Sequence, residues 1–459
     1  MKNVDYQYAS LQIVKISPAA RKLAIRWIWL GIYALVAAGF LAVLLALSRT
    51  PVVGELMPDG NFFKIVLVAH VNLSVLVWFL ACAGLLWSVF GVHHDSLWVR
   101  LAFYLALAGT LMISISPFLG DSQPLMNNYV PVILHPCFFI GLTLLMTSLL
   151  IKASFYIVHF SPKTDCLSFG MYLAAISVLL IILCIVLSYL LIPEEITGEF
   201  FYDLLFWGGG HVHQFTNTVL LLVAWLMLAK ACGKNLYTRE RTQKLLLLIT
   251  ILPLVFIPWL YLYPIDSSEH ILGFTELMRK GGLASIPLGL LVFISIFQFS
   301  KLKDEQKPLR ASLICSITLF AAGGILGFMI QGSNTVIPAH YHGCIVGVTL
   351  AFMGVVFLLL PLLGYPIQHI RMAYWMPWCY GGGQLMHITA LAWSGGYGVK
   401  RKALGQTQGL ESLQEVAGML CMGIGGLTAV IGGLMFLYIV ISTLTKSSGN
   451  RLVSLKVRA

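Results

Sequence analysis

The chain has 459 residues, of which 59% are hydrophobic and only 10% charged, and its mean hydropathy is +0.88. Soluble domains carry about 25% charged residues. So few charges cannot cover a water-facing surface, which excludes a soluble enzyme, a coiled coil and a disordered chain. A formal net charge of +11 would suggest a nucleic-acid ligand in a soluble protein, but in a membrane protein basic cytoplasmic loops explain it. We therefore expect a protein of the lipid bilayer and no nucleic-acid partner.

Hydrophobic stretches predict an all-α, polytopic membrane fold. A transmembrane helix needs about 20 mostly apolar residues. By that rule the sequence predicts a single membrane domain over residues 1–459, with short tails at about 1–26 and 444–459. The predicted bundle has twelve spans, at 27–48, 62–90, 97–118, 130–152, 168–192, 206–229, 244–264, 281–300, 309–331, 337–363, 371–395 and 416–443.

The distribution of basic residues predicts the orientation of the bundle. With an even number of spans both chain ends lie on one side, and most of the 29 Lys and Arg fall in loops on that side. Cytoplasmic loops are enriched in Lys and Arg, so we expect both termini to be cytoplasmic, in a bacterial inner membrane. The nine Cys form no C-x-x-C pair, which argues against a structural zinc site or a covalently attached c-type haem.

Most of the 12 His fall at one depth of the predicted bundle. Those in the outer half of the membrane are His70, His135, His211, His213, His270, His340, His342 and His387. Any one of them is readily explained as a hydrogen-bonded helix residue. A shared layer is better explained by metal or haem binding, because ionisable groups inside a membrane are costly and imidazole is the commonest metal ligand.

The pattern His340-Tyr341-His342 is the most specific local signal. Residues two apart on a helix point about 200° apart, so the two imidazoles cannot easily bind one metal. They can hold two separate groups on opposite sides of the helix. Two flat haems flanking this helix would use that arrangement, and His70, on the second predicted helix, lies at the same depth.

These residues resemble catalytic subunit I of the haem–copper oxygen reductase superfamily, which includes cytochrome c oxidases and nitric oxide reductases. The resemblance implies two haems, with His340 ligating the high-spin, substrate-reducing haem and His70 with His342 ligating the low-spin haem. It implies that Gly210-His211 on the sixth helix binds a second active-site metal. The sequence GGYGVKRK, residues 395–402, is similar to the family's basic pair for haem propionates, matched best by Lys400 and Arg401.

The chain also departs from the family pattern. The paired histidines expected near the end of the seventh helix are absent, so His213, or His270 with Glu269, is the candidate to complete the metal site. A carboxylate ligand would favour non-haem iron over copper, and both metals stay open. Phe215 occupies the position of an active-site tyrosine in many oxidases, so that catalytic role is either missing or moves to Tyr261 or Tyr263.

The resemblance implies a terminal oxidoreductase whose substrate is a diatomic gas. We expect reduction of oxygen to water, with nitric oxide reduction, or a degenerate haem-binding member, as alternatives. A cytochrome c or cupredoxin subunit is the expected electron donor. Acidic residues near the sixth span are candidates for proton delivery or donor docking: Glu194, Glu195, Glu199 and Asp203. A transporter or haem-handling protein is the alternative of a different class.

Overall fold

A computed structural model describes residues 16–49, 60–120, 122–162, 164–234, 236–298, 302–401 and 409–456 of the chain. These ranges contain twelve helical stretches, which we number α1 to α12. Several change helix type along their length. They are α1 Pro18–Arg49; α2 Gly60–Val71, Asn72–Val77 and Trp78–Phe90; α3 Leu97–Ile115; α4 Pro136–Val158; α5 Cys166–Leu191; α6 Gly198–Ala231; α7 Glu240–Ile251, Leu252–Phe256 and Ile257–Leu260; α8 Ser268–Gly281, Gly282–Ser285 and Ile286–Ile296; α9 Lys307–Phe328; α10 Val336–Leu362; α11 Ile370–Gly396; and α12 Leu413–Lys456.

The all-α membrane fold is confirmed. Eleven of the described helices are long and apolar enough to cross a membrane. The helix α11 is as long as α10 but is not among the eleven, because its Gly, Pro, Tyr and Trp residues lower its mean hydropathy. The predicted number of twelve spans therefore stays a prediction. Of the predicted tails, residues 1–15 lie outside the described ranges, and α1 begins at Pro18 rather than at residue 27.

Besides α1, two helices that carry candidate site residues begin well before the residue that the hydrophobic pattern predicts. The helix α6 begins at Gly198, so Glu199 and Asp203 lie inside it and not in a preceding loop. The helix α8 begins at Ser268, so Glu269 and His270 lie in its first turn and not in a loop between spans. Both starts are amphipathic and polar, which is why a hydropathy criterion places the span boundary too late.

Sequential helices pack side by side, and α6 and α10 lie in the interior. The strongest contacts join α1 to α2, α3 to α4, α5 to α6, α9 to α10 and α11 to α12, while α12 also contacts α1. In the most apolar windows of α6 and α10, 78% and 83% of residues are buried. Glycines permit close approach of paired backbones; a Cβ at Gly323 would lie 2.5 Å from the Cys344 backbone nitrogen. The two interior helices carry His211, His340 and His342.

A short hairpin covers the end of the bundle at which the even-numbered helices begin. Its strands, β1 Pro124–Leu125 and β2 Val132–Ile133, are antiparallel. The connecting residues 126–131 lie over α2 and α6. We call this the histidine end of the bundle, because His70, His211, His270, His340 and His342 lie in the helices that begin there.

Candidate haem and metal site

His135, just before α4, accepts a hydrogen bond through Nδ1 from the Cys137 backbone N–H at 3.1 Å. Six other imidazole side chains at the histidine end share a different pattern, in which Nδ1 lies within hydrogen-bond distance of a backbone carbonyl oxygen. The pairs are His70 with Ala38 at 2.9 Å, His211 with Trp207 at 2.7 Å, His270 with Leu260 at 2.9 Å, His340 with Gly323 at 2.7 Å, His342 with Pro338 at 2.8 Å and His387 with Met422 at 2.9 Å.

This pattern fixes the tautomer of each ring. A carbonyl oxygen only accepts, so Nδ1 carries the proton and donates it, and Nε2 presents a lone pair. Metal-ligating histidines are held in the same way by a carbonyl or carboxylate on the second nitrogen. The bond alone does not mark a site, because the exposed His159, after α4, makes it with Phe155 at 2.8 Å. What distinguishes His70, His270, His340 and His387 is that their acceptors belong to another helix or to a distant segment.

The two histidines of α10 contact different neighbours. His340 donates to Gly323 in α9, and Gly327 lies against the same ring, so close that a Cβ there would be 2.7 Å from Nδ1. The His342 ring lies 5.1 Å from that of His387 in α11. A regular helix from Val336 to Leu362 therefore directs the two imidazoles toward α9 and toward α11. This agrees with the separation that their spacing predicts.

His70 lies directly before a local change in helix type. It is the penultimate residue of Gly60–Val71, and the next six residues, Asn72–Val77, form a π-helix. Such π-turns inside α-helices are frequent at functional sites. The buried Asn72 amide donates to Val68 O at 2.9 Å and to Pro131 O at 2.9 Å. This side chain ties the π-turn to the hairpin connection, which also reaches α6.

His211 is hydrogen-bonded on both ring nitrogens. Nδ1 donates to Trp207 O, and Nε2 lies 2.8 Å from the Tyr129 hydroxyl, which must therefore donate to it. Gly210 makes room for Tyr129, since a Cβ at Gly210 would lie 2.2 Å from the Tyr129 ring. The Gly208-Gly209-Gly210 run does not loosen the helix, as α6 is continuous through it. Each of these glycines instead accommodates a neighbouring side chain.

The other predicted metal ligands do not converge on His211. His213 is two residues further along the same regular helix, which directs it about 200° away. His270 is fully buried, but the described residues offer its Nε2 no hydrogen-bond partner, and its ring packs on Tyr261 and Phe274. Glu269 is exposed, so its adjacency in sequence to His270 does not bring its carboxylate to the buried imidazole.

The tyrosine nearest to His270 is Tyr261 rather than Tyr263. Tyr263 is 48% exposed, which does not suit the catalytic role predicted for it. The Tyr261 hydroxyl donates to Cys184 O at 2.9 Å, lies 3.0 Å from the Ser188 hydroxyl, and fills the space beside Gly208. Both tyrosines lie in the turn that follows the helix Ile257–Leu260, and the sequence does not reveal which of them faces inward.

The donor sets fit haem but not a second metal. For His70 and His340 the anchored Nδ1 leaves an Nε2 of the kind that ligates haem iron. Around His211, Tyr129 occupies the ligating nitrogen. Within the described ranges no three His, Cys, Asp or Glu side chains come together as a metal site. The predicted set of His211, His213, His270 and Glu269 is therefore not assembled.

The basic pair lies beside the start of α10. Lys400 forms an antiparallel bridge with Asn334, and Arg401 Nε donates to the Ser333 hydroxyl at 3.0 Å. The Arg401 guanidinium also reaches Asn128 Oδ1 at 3.5 Å. Because Ser333 and Asn334 shortly precede His340 in the chain, these contacts bring Lys400 and Arg401 to the histidine end. Lys402, the last residue of the motif, lies outside the described residues.

Tyr129 is the residue of this site that sequence reasoning missed. It lies between short strands, 82 residues before His211, and carries no motif. Hydrogen bonds to residues on either side of Tyr129 in the chain position it. Asp203 accepts from the Asn128 backbone N–H at 2.8 Å, and the Asn72 amide donates to Pro131 O. The only indication in the sequence is indirect: Gly210, which precedes His211, leaves space beside the histidine for another side chain.

The fold and its buried histidines define an all-α, polytopic membrane protein. Residues 22–447 match the family described as cytochrome c and quinol oxidase polypeptide I. The chain belongs to this family and is an oxidase subunit I-like integral membrane protein.

Two curated relatives and one solved structure cover most of the chain. Uncharacterized protein RP382 of Rickettsia prowazekii is 31% identical over 94% of this chain and 97% of its own length. An uncharacterized protein of Aquifex aeolicus is 30% identical over 74% of this chain and 85% of its own. The structure of a haem–copper terminal oxidase dimer superposes with a TM-score of 0.75 at 19% identity, covering 93% of this chain and 84% of that one. At that identity the superposition shows the shared fold.

Proposed function

We propose that the protein is a haem-containing respiratory terminal oxidoreductase that reduces oxygen to water. The observation that carries the proposal is the anchoring of His70 and His340 through Nδ1 to carbonyl oxygens of other helices, which orients their Nε2 atoms as haem-iron ligands at one end of the bundle. His70 and His342 hold the low-spin haem, and His340 holds the high-spin haem. When bound, the haems supply electron transfer and the iron that takes up the gas.

The protein's own residues orient and charge this site. The carbonyls of Ala38 and Gly323 hold the rings of His70 and His340 in one rotational setting. Lys400 and Arg401 provide positive charge for propionate groups, whose carboxylates favour charge-assisted hydrogen bonds. These carbonyls and basic side chains are in place before the reaction, so they need not rearrange during it.

The electron donor is proposed to be a separate cytochrome c or cupredoxin subunit, since the sequence has no c-type haem motif or thiolate copper pair of its own. Exposed acidic residues at the histidine end, Glu194, Glu195 and Glu199, offer a surface of the right charge for a cationic donor. The orientation with both termini in the cytoplasm of a bacterial inner membrane rests on the basic loops.

Purification of the full chain from membranes tests the proposal. We expect two haems per chain by pyridine haemochrome, and a reduced-minus-oxidised spectrum with a low-spin component that His342→Ala or His70→Ala removes. His159→Ala is the matched control, because His159 makes the same Nδ1 bond but is exposed at the other end of α4. Oxygen uptake with a reduced donor assigns the substrate. Uptake of nitric oxide alone assigns it to that gas instead, and a chain without haem refutes the proposal.

A further inference from the structure

The His211 nitrogen that is expected to bind a second metal is already hydrogen-bonded to another side chain of this protein. The sequence predicts His211 to be a metal ligand, yet its Nε2 accepts a hydrogen bond from the Tyr129 hydroxyl at 2.8 Å. Its Nδ1 is committed to Trp207 O at 2.7 Å. The imidazole therefore has no remaining lone pair for a metal unless Tyr129 moves. His211 is also buried, with 1% of its surface exposed, so the hydrogen bond is sheltered from water.

The position of Tyr129 is fixed by contacts on every side. Its ring lies edge-on to Trp207 at 5.6 Å and against the space that Gly210 leaves open. The preceding residue, Asn128, is held by Asp203 through its backbone N–H at 2.8 Å and its side-chain amide at 3.2 Å. Moving the phenol away from His211 would break several of these contacts together, so the contact is built into the fold and is not a chance approach of a loop.

Among the described residues, no other set of ligands for a second metal comes together. The His270 imidazole is turned onto Tyr261 and Phe274, with centroid distances of 5.1 Å to each, and His213 leaves α6 on another face. The described residues bring no three His, Cys, Asp or Glu together. A copper or non-haem iron site built on three or more protein ligands has no donor set here.

We propose that a hydrogen-bonded Tyr129–His211 pair replaces the second active-site metal, so that the loaded protein carries haem iron alone. This inference rests on the proposed function for the haems. At this position the Tyr129 phenol donates a hydrogen bond to the neutral His211 imidazole, and no metal cation is bound. The family member would then be one that has kept the haem ligands and lost the non-haem metal.

Metal-to-haem ratios of the holoprotein test the proposal. The full chain is purified with its haems from cells supplied with copper and iron, alongside Tyr129→Phe and His211→Ala. We expect iron equal to haem iron and no stoichiometric copper in the wild type, with the same ratios in both variants. About one copper or one non-haem iron per chain in the wild type, absent from His211→Ala at unchanged haem content, would overturn it.

Thermal unfolding of the same samples provides a second measurement. If the two side chains form one hydrogen-bonded pair, the Tm losses of Tyr129→Phe and His211→Ala are not additive in the double variant. Additive losses would overturn the pair. A preparation without haem would refute the proposed function, whereas extra metal with two haems present would refute only this inference, so the two failures are distinguishable.

Discussion

Gly327 in α9 is the position at which one added methyl group most directly perturbs a proposed haem ligand. A Cβ at Gly327 would lie 2.7 Å from Nδ1 and 2.8 Å from Cε1 of His340, whereas ordinary contacts begin at 3.4 Å. The ring must therefore shift by about 0.7 Å, which is also about the difference between a good hydrogen bond and none. The same nitrogen donates to Gly323 O at 2.7 Å, one turn away on α9, so the ring cannot shift freely.

We expect Gly327→Ala to destabilise the protein by about 1–3 kcal/mol, the usual cost of overpacking a core. Replacing a helical glycine by alanine, where space is available, should instead stabilise the protein by about 1 kcal/mol. Gly324→Ala, three residues earlier in α9, is the matched control, because nothing lies within 4 Å of a Cβ there.

The assays are thermal unfolding in detergent and the haem spectrum of the purified chain. Gly327→Ala should lower Tm and alter the component of the spectrum assigned to the His340 haem, while Gly324→Ala leaves both unchanged or raises Tm. If the two variants unfold at the same temperature with identical spectra, the His340 ring is not confined between Gly323 and Gly327, and the reasoning is wrong.

Three further substitutions test the packing around the site. Ser316→Ala should cost about 1–3 kcal/mol in thermal unfolding, because it leaves the buried Trp225 indole N–H, which donates to Ser316 at 2.8 Å, without its acceptor. Asn72→Leu should cost a similar amount by removing both carbonyl contacts of a buried amide, and should increase proteolysis of the hairpin connection. Gly210→Ala should displace the Tyr129 ring and lower Tm, since a Cβ would lie 2.2 Å from it.

Each of these has an outcome that contradicts it. Ser312→Ala, one turn earlier in α9, is the control for the serine, because the described residues offer its buried hydroxyl no partner and its loss should be neutral or stabilising. Equal effects of the two serine variants would remove the argument from hydrogen bonding. Unchanged proteolysis of Asn72→Leu would show that the amide does not hold the hairpin. A wild-type Tm for Gly210→Ala would show that Tyr129 has room to move.

The sequence by itself determined the class of fold and which histidines are expected at the same depth in the membrane. Long apolar stretches require helices in a membrane, because backbone polar groups without water must bond within their own segment. The spacing of His340 and His342 determined that they face different neighbours, because a regular helix turns by about 100° per residue.

Only the tertiary structure decided which partners each ring meets. Carbonyls of Ala38, Gly323 and Met422 come from other helices, and no local pattern encodes those pairings. The starts of α6 and α8 are helical against the hydropathy pattern, and at α8 the Ser267 hydroxyl caps the helix by accepting from the His270 backbone N–H. The contact of Tyr129 with His211 joins residues 82 apart in the chain. It depends on the hairpin, on Asp203 and on the space left by Gly210, and the geometry of that long-range contact is set by packing and not by composition or periodicity.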